Sequence, residues 1–178
     1  MKINTIDKLK LALNTCGIVN TESCYLEVLK TVDIPYEEWE HLFFFKENRP
    51  ARVCITTTKD YQLVLSCWEK GQQGPIHDSD SEEVWIHPVC GQFREERYRL
   101  SKESNKLEQV SSVLMDSQSY SHMQKSRTIY KYINVYETRS VCLHLYSSPV
   151  TEWREYDNGN VNLVAHSYDK VLDNKDVK

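Results

Sequence analysis

The stretch from Gly71 to Gly91, GQQGPIHDSDSEEVWIHPVCG, concentrates side chains that can do chemistry. His77, Asp78 and Ser79 come first, and Asp80, Glu82 and Glu83 follow. An imidazole beside hydroxyl and carboxylate oxygens offers metal ligands, hydrogen-bonding groups and a base. A second group lies at Cys142, His144 and Tyr146. Spaced two apart, a thiol, an imidazole and a phenol share one face of a strand. They could bind a polar ligand, or form a hydrogen-bonded cluster of their own. A thiol nucleophile is the weaker reading, since no third group is visible to orient His144. His87 and His122 are further imidazoles, but His87 follows Val84 by three and so belongs on the opposite face. The acidic run reads as a solvated turn before it reads as a set of oxygen ligands.

The elements that must position these residues are mostly strands. Residues 71–91 read as turn, strand, turn, strand, with His77 to Ser79 at the end of the first strand. In a small β-barrel that end points side chains into the barrel mouth. Tyr61, Leu63, Leu65 and Cys67 alternate with Gln62, Val64, Ser66 and Trp68. Both sets are largely apolar, as in a strand covered on both faces. Val84–Val89 is a second such strand. Residues 92–100, QFREERYRL, carry charges on both faces and predict a solvent-exposed strand; 101–106 is a polar loop. Further strands are expected at 109–115, 120–123, 128–134, 141–147, 152–156 and 161–166. Short, regularly spaced strands imply an antiparallel barrel or jelly roll.

Residues 5–34 instead have helical spacing. Ile6, Leu9, Leu13 and Cys16 recur on one face, and Gly17 is placed to stop that helix. Thr21 can cap a second helix bearing Tyr25, Leu26, Leu29 and Val32. Pro35 opens a short third helix with Glu37 and Glu38 in its first turn and Trp39, Leu42 and Phe43 on its buried side. The reading is one domain over 1–178: a helical cap at 1–48 over one end of the barrel, the barrel at 49–168, and a polar tail at 169–178 that frays. No internal repeat is visible.

Composition bounds the rest. A chain of 178 residues with 40% hydrophobic content supports one sizeable core. A net charge of −4 with mixed signs argues against nucleic acid or an anionic membrane as the partner. No apolar run approaches a membrane span, and Asp7, Lys8 and Lys10 break up any signal-peptide core. The six cysteines contain no C-x-x-C pair and read mostly as free, buried hydrophobes, which predicts a reducing cytoplasm.

Three stretches together resemble the cysteine dioxygenase family (type I) of the cupin superfamily. The first is Cys67-Trp68-Glu69 with Gly71 and the segment Ile76-His77-Asp78. It keeps the first cupin motif's Gly-to-His spacing, with Ser79 where the motif has its second His. The second is Tyr130-Lys-Tyr-Ile-Asn134, spaced like the family's H-x-x-x-N. The third is Cys142-Leu-His-Leu-Tyr-Ser-Ser-Pro149, close to the family's S-L-H-L-Y-S-P-P. Order and spacing match over roughly residues 35–166. The fold this implies is an all-β cupin barrel of the double-sheet jelly-roll type with an N-terminal helical cap.

The function the resemblance implies is O2-dependent oxidation of the cysteine thiol to the sulfinate at a mononuclear Fe(II) held by three histidines. The iron positions fall on His77, Ser79 and Tyr130, of which His77 alone is a histidine. Arg52 falls on the arginine that grips the substrate carboxylate, and Cys142 on the family's serine in the substrate pocket. Tyr146 and His144 keep their catalytic positions. Pro50 replaces a tyrosine, and Val84 replaces the cysteine that crosslinks to tyrosine in animal enzymes. A serine hydroxyl is a poor Fe(II) ligand, and a tyrosine phenolate favours a more oxidised metal. Two expectations therefore stand. One is a cytoplasmic thiol dioxygenase with an altered ligand set. The other is a monomeric, metal-free cupin that binds a small cysteine-like molecule through its carboxylate or thiol and serves in sensing or regulation.

Overall fold

The computed structural model describes residues 2–19, 22–104, 106–124, 128–157 and 159–172. Three helices open the chain: α1 (Ile6–Val19), α2 (Glu22–Lys30) and α3 (Tyr36–Glu40). Gly17 does not stop α1, which continues to Val19. A helical glycine costs about 1 kcal/mol, and the buried stripe of Ile6, Leu9, Leu13 and Cys16 outweighs it. Pro35 caps α3 as expected, and Trp39 and Leu42 are buried; Thr21 lies outside the described residues.

Eleven strands follow among the described residues: β1 (Ala51–Thr57), β2 (Gln62–Trp68), β3 (Glu83–Cys90), β4 (Phe93–Leu100), β5 (Leu107–Met115), β6 (Ser121–Gln124), β7 (Ile129–Asn134), β8 (Ser140–Tyr146), β9 (Glu152–Asp157), β10 (Asn160–Ala165) and β11 (Lys170–Val171). One six-stranded sheet runs β11-β1-β2-β8-β3-β6. Opposite it are a three-stranded sheet, β5-β4-β7, and the hairpin β9-β10. The segment 72–78 joins these two smaller sheets. Its backbone pairs with β7 through His77↔Tyr130 and Gln73↔Ile133, and with β9 through His77↔Glu155. It is a connector with isolated bridges, and the strand expected before His77 is not formed. The result is a two-layered jelly roll rather than a fully closed barrel.

Period two sorts the core into two layers. Leu63, Leu65 and Cys67 of β2 and Val141, Leu143 and Leu145 of β8 pack against the helices. Val64 and Trp68 of β2, with Cys142 and Tyr146 of β8, face the space between the sheets. The helices thus cover a face of the large sheet, not an end of the barrel. They do so because that face is apolar across β1, β2 and β8.

Three further expectations are corrected. β4 is not simply a solvated strand: Phe93 and Glu95 are buried, and Glu95 is held by Arg97 (Nε–Oε1 2.6 Å) and by the Tyr132 hydroxyl. The tail does not fray from residue 169. Asp169 accepts bonds from Lys46, Arg49 and the backbone N–H of Arg52 (2.9 Å), and β11 then pairs in parallel with β1. Finally, Cys16 and Cys24 form a disulfide linking α1 to α2, so the six cysteines are not all free. The helix pair sets their Cα atoms 5.5 Å apart, within bonding range, which sequence spacing does not reveal. Cys54, Cys67, Cys90 and Cys142 remain free. Among the described residues, no helix is long and apolar enough to cross a membrane.

Candidate functional site

Between the sheets lies a cavity of about 300 Å³. Its walls include Arg52 from β1, His144 and Tyr146 from β8, His77 from the connector and Tyr130 from β7. Five of the seven residues that the sequence marks for a site therefore meet at one cavity. Ser79 and Cys142 do not line it. Cys142 sits behind His144, with Sγ 3.1 Å from Nε2, and is fully buried. Ser79, also buried, lies past the bridge that fixes His77.

Arg52 is the centre of the polar contacts. Its Nη2 donates to the Tyr146 hydroxyl at 2.9 Å, and its guanidinium lies 4.9 Å over the Trp153 ring. Its Nε is buried and has no hydrogen-bond partner among the described residues. The same holds for Nδ1 of His144. Burial pushes the Cys142 thiol well up, so the S–H is kept beside Nε2. Val84 stands directly across from Tyr146 in the β3–β8 pairing, so the crosslink partner of the tyrosine is a plain methyl surface.

The imidazoles here are neutral. Burial, with the Arg52 charge adding to it, holds His77 down to about 4, against the opposing bond to the Pro75 carbonyl and the Asp78 charge. Burial followed by Arg52 likewise holds His144 well below its ordinary value and His166 down to about 3. His166 stands in edge-on contact with Trp153, and neither of its ring nitrogens finds a partner among the described residues. Burial and the neighbouring Tyr146 push the Tyr130 phenol well above 10, so it stays protonated.

This donor set does not fit a three-imidazole Fe(II) site. His77 offers a neutral imidazole, with Nδ1 engaged by the Pro75 carbonyl at 3.0 Å and Nε2 left over. Ser79 is off the wall, and a protonated phenol is a weak ligand. Among the described residues, no group of three or more His, Cys, Asp or Glu side chains is placed to hold a metal ion. His87 and His122 lie on the outer side, stacked on Tyr120 and Trp85.

The acidic run is not simply a solvated turn. Asp78 is buried and accepts from Arg154 Nε (2.8 Å), Arg154 Nη2 and the Tyr156 hydroxyl (3.0 Å). It fastens the connector to β9. Asp80 accepts from the Thr151 hydroxyl at 2.7 Å, and Glu83 lies 3.4 Å from His122. Asn134 of the H-x-x-x-N-like stretch is structural too: it bonds the carbonyls of Glu69 and Thr138, each at 2.9 Å.

Sequence reasoning missed Trp153, Glu155 and His166. The alternation of Trp153 and Glu155 along β9 was the available signal, since period two puts both on one face. Trp153 Nε1 donates to Glu155 Oε1 at 2.8 Å, and both line the cavity.

Two opposed sheets around a polar cavity define a cupin. In support, a conserved protein with a double-stranded β-helix domain from Klebsiella pneumoniae superposes with a TM-score of 0.52 at 10% identity, covering 71% of this chain and 86% of that one. That likeness speaks for the fold alone. The family description "Cysteine dioxygenase type I" matches residues 15–159, and the chain belongs to that family. It is 25% identical to cysteine dioxygenase type 1 of Danio rerio over 179 residues, covering 94% of this chain and 88% of the relative. It is 24% identical to the Homo sapiens protein of that name over 136 residues, covering 74% and 68%.

Proposed function

We propose that this cysteine dioxygenase-like cupin is a metal-free binding protein for a small carboxylate ligand of the amino-acid type, with a sensing or regulatory role. The observation that carries this is the pair of buried nitrogens, Arg52 Nε and His144 Nδ1, left without partners beside one cavity. Buried donors are nearly always satisfied. A carboxylate accepts from Arg52 Nε, and from His144 with the ring proton on Nδ1, and forms the fork-like pair that suits a guanidinium. Tyr146 steadies Arg52 from the far side. The ligand is small because the cavity is about 300 Å³.

The retained Arg52, His77, His144 and Tyr146 support a second reading, a thiol dioxygenase with an altered iron site. The ligand chemistry of Ser79 and a protonated Tyr130 weighs against it. Elemental analysis of untagged protein separates the two. The binding reading expects below about a tenth of an iron per chain, and near-stoichiometric iron favours the enzyme, whose redox chemistry needs the ion. In the same preparation, saturation with L-cysteine at about 100 times its dissociation constant should stabilise the fold by ~2.7 kcal/mol. Arg52→Ala should abolish that stabilisation. An unchanged shift in the mutant would remove Arg52 from the site.

A further inference from the structure

In the family's chemistry the substrate amine is bound at iron. A ligand held here by Arg52 without a metal needs another partner for that amine. We propose that Glu155 takes the ammonium group, so that the cavity recognises a zwitterionic α-amino acid through Arg52 at one end and Glu155 at the other. This rests on the reading of Arg52 as the carboxylate anchor.

Four observations place Glu155 in that role. It is the one carboxylate among the described residues that line the cavity. Of the other acids nearby, Asp78 is committed to Arg154 and Tyr156, Glu95 to Arg97 and Tyr132, and Asp169 to Lys46 and Arg49, while Asp80, bonded to Thr151 through Oδ2, is not on the cavity wall. Glu155 Oε1 accepts from Trp153 Nε1, and among the described residues Oε2 has no hydrogen-bond or ionic partner. Lastly, the position is built. The backbone bridge His77↔Glu155 sets Glu155 directly across from the retained His77.

Trp153 serves as the spacer. Its ring packs under the Arg52 guanidinium at 4.9 Å, and its N–H holds Glu155 at 2.8 Å. One rigid indole thus fixes an unpaired cation and a half-paired anion on the same wall. Opposite charges held apart in this way, rather than collapsed into a salt bridge, match a zwitterion. An amine with no counter-charge would remain desolvated and unpaired, which is costly. The aromatic wall of Trp68, Tyr130 and Tyr132 is left for the ligand's side chain.

The test is isothermal titration with two matched trios: L-cysteine, 3-mercaptopropionate and cysteamine; and L-phenylalanine, 3-phenylpropionate and 2-phenylethylamine. Each is run against the full chain, Glu155→Gln and Arg52→Ala. Glutamine keeps the Oε1 acceptor for Trp153, so the wall stays in place. In the trio whose amino acid binds more tightly, the amino acid should bind about tenfold or more tighter than either truncated analogue, and Glu155→Gln should remove that advantage over the carboxylate. The affinity of Glu155→Gln for the des-amino carboxylate should stay within about twofold of wild type. Wild-type affinity of Glu155→Gln for the amino acid, with loss in Arg52→Ala, would overturn the role of Glu155 and leave the Arg52 reading standing. Undiminished binding by Arg52→Ala, or no binding of either amino acid to the wild type, would overturn both.

Discussion

Removing the Asp78 carboxylate should weaken the fold and loosen the cavity together. Asp78→Ala deletes an acceptor of four hydrogen bonds: Nε, Nη2 and the backbone N–H of Arg154, and the Tyr156 hydroxyl. Hydrogen bonds to a charged group are worth about 1.5–3 kcal/mol each when the partner cannot re-solvate. The Arg154 side chain, 54% exposed, can turn to water once released, so most of its share is recovered. Tyr156 is half-buried and recovers less. The expected net cost is roughly 2–3 kcal/mol, below the 3–5 typical of a broken, fully buried pair. At about 2–4 °C per kcal/mol for a chain of this size, Tm should fall by ~4–12 °C. Asp80→Ala, which releases only Thr151 on an exposed turn, should cost no more than about 1 kcal/mol. Denaturant unfolding followed by tryptophan fluorescence measures both. Because Asp78 ties the connector to β9, the mutant should also bind L-cysteine more weakly. An Asp78→Ala protein within about 0.5 kcal/mol of wild type, and no less stable than Asp80→Ala, would refute the idea that this carboxylate fastens the two small sheets.

Acid should destabilise the protein in a specific window. His77, His144 and His166 are held neutral in the fold, so the unfolded chain takes up protons near pH 6.5 that the folded chain refuses. Their contribution is complete above about pH 6.5 and is lost as pH falls toward 4; His87, lowered mainly by burial, acts in the same direction. Between pH 7.5 and 5 the urea midpoint should report a loss of ~2–4 kcal/mol after allowance for partial exposure, and a flat profile would contradict neutral, enclosed imidazoles. Gly91→Ala should be severely destabilising. Gly91 has φ +80°, and an added Cβ would fall 2.0 Å from Ser140 Oγ and 2.9 Å from Ser140 Cα. Gly71→Ala, at φ +74° with open space around it, should cost only the left-handed backbone penalty of about 1–2 kcal/mol. Equal thermal shifts for the two glycine variants would show that the Ser140 contact does not matter.

Much of the site was visible in the chain itself because strands alternate. Period two alone set Tyr146 and His144 on one face of β8 and Leu143 and Leu145 on the other, and family resemblance turned the first face inward. Family resemblance added Arg52, His77 and Tyr130, and all five line one cavity. The same logic failed at Ser79 and Cys142. The connector around His77 is held by isolated bridges rather than a continuous ladder, so alternation does not carry through to Ser79. Cys142 faces inward but is screened by His144.

Charged residues were the hardest to judge. Asp78, Glu95 and Asp169 sit in stretches that look solvated, yet each is buried at its carboxylate. Their partners Arg154, Tyr132 and Arg49 are 37 or more residues away along the chain. Local polarity states only that a charge costs free energy to bury; whether a distant cation or hydroxyl offsets that cost is a property of the packed sheets.

The sequence by itself determined the elements. Periods of 3.6 and then two divide the chain into helices and strands, and apolar residues on both faces of β2 require both faces to be covered; that the helices cover one of them was decided by packing. It also determined that one histidine remains where the family places three. Only the tertiary structure decided which groups share the cavity with Arg52. Trp153 and Glu155 reach it because β9 pairs with the connector, and that register is chosen by backbone bonds between segments some 80 residues apart. The disulfide between α1 and α2 was decided in the same way, since bonding depends on the distance between Cα atoms and sequence separation does not supply it.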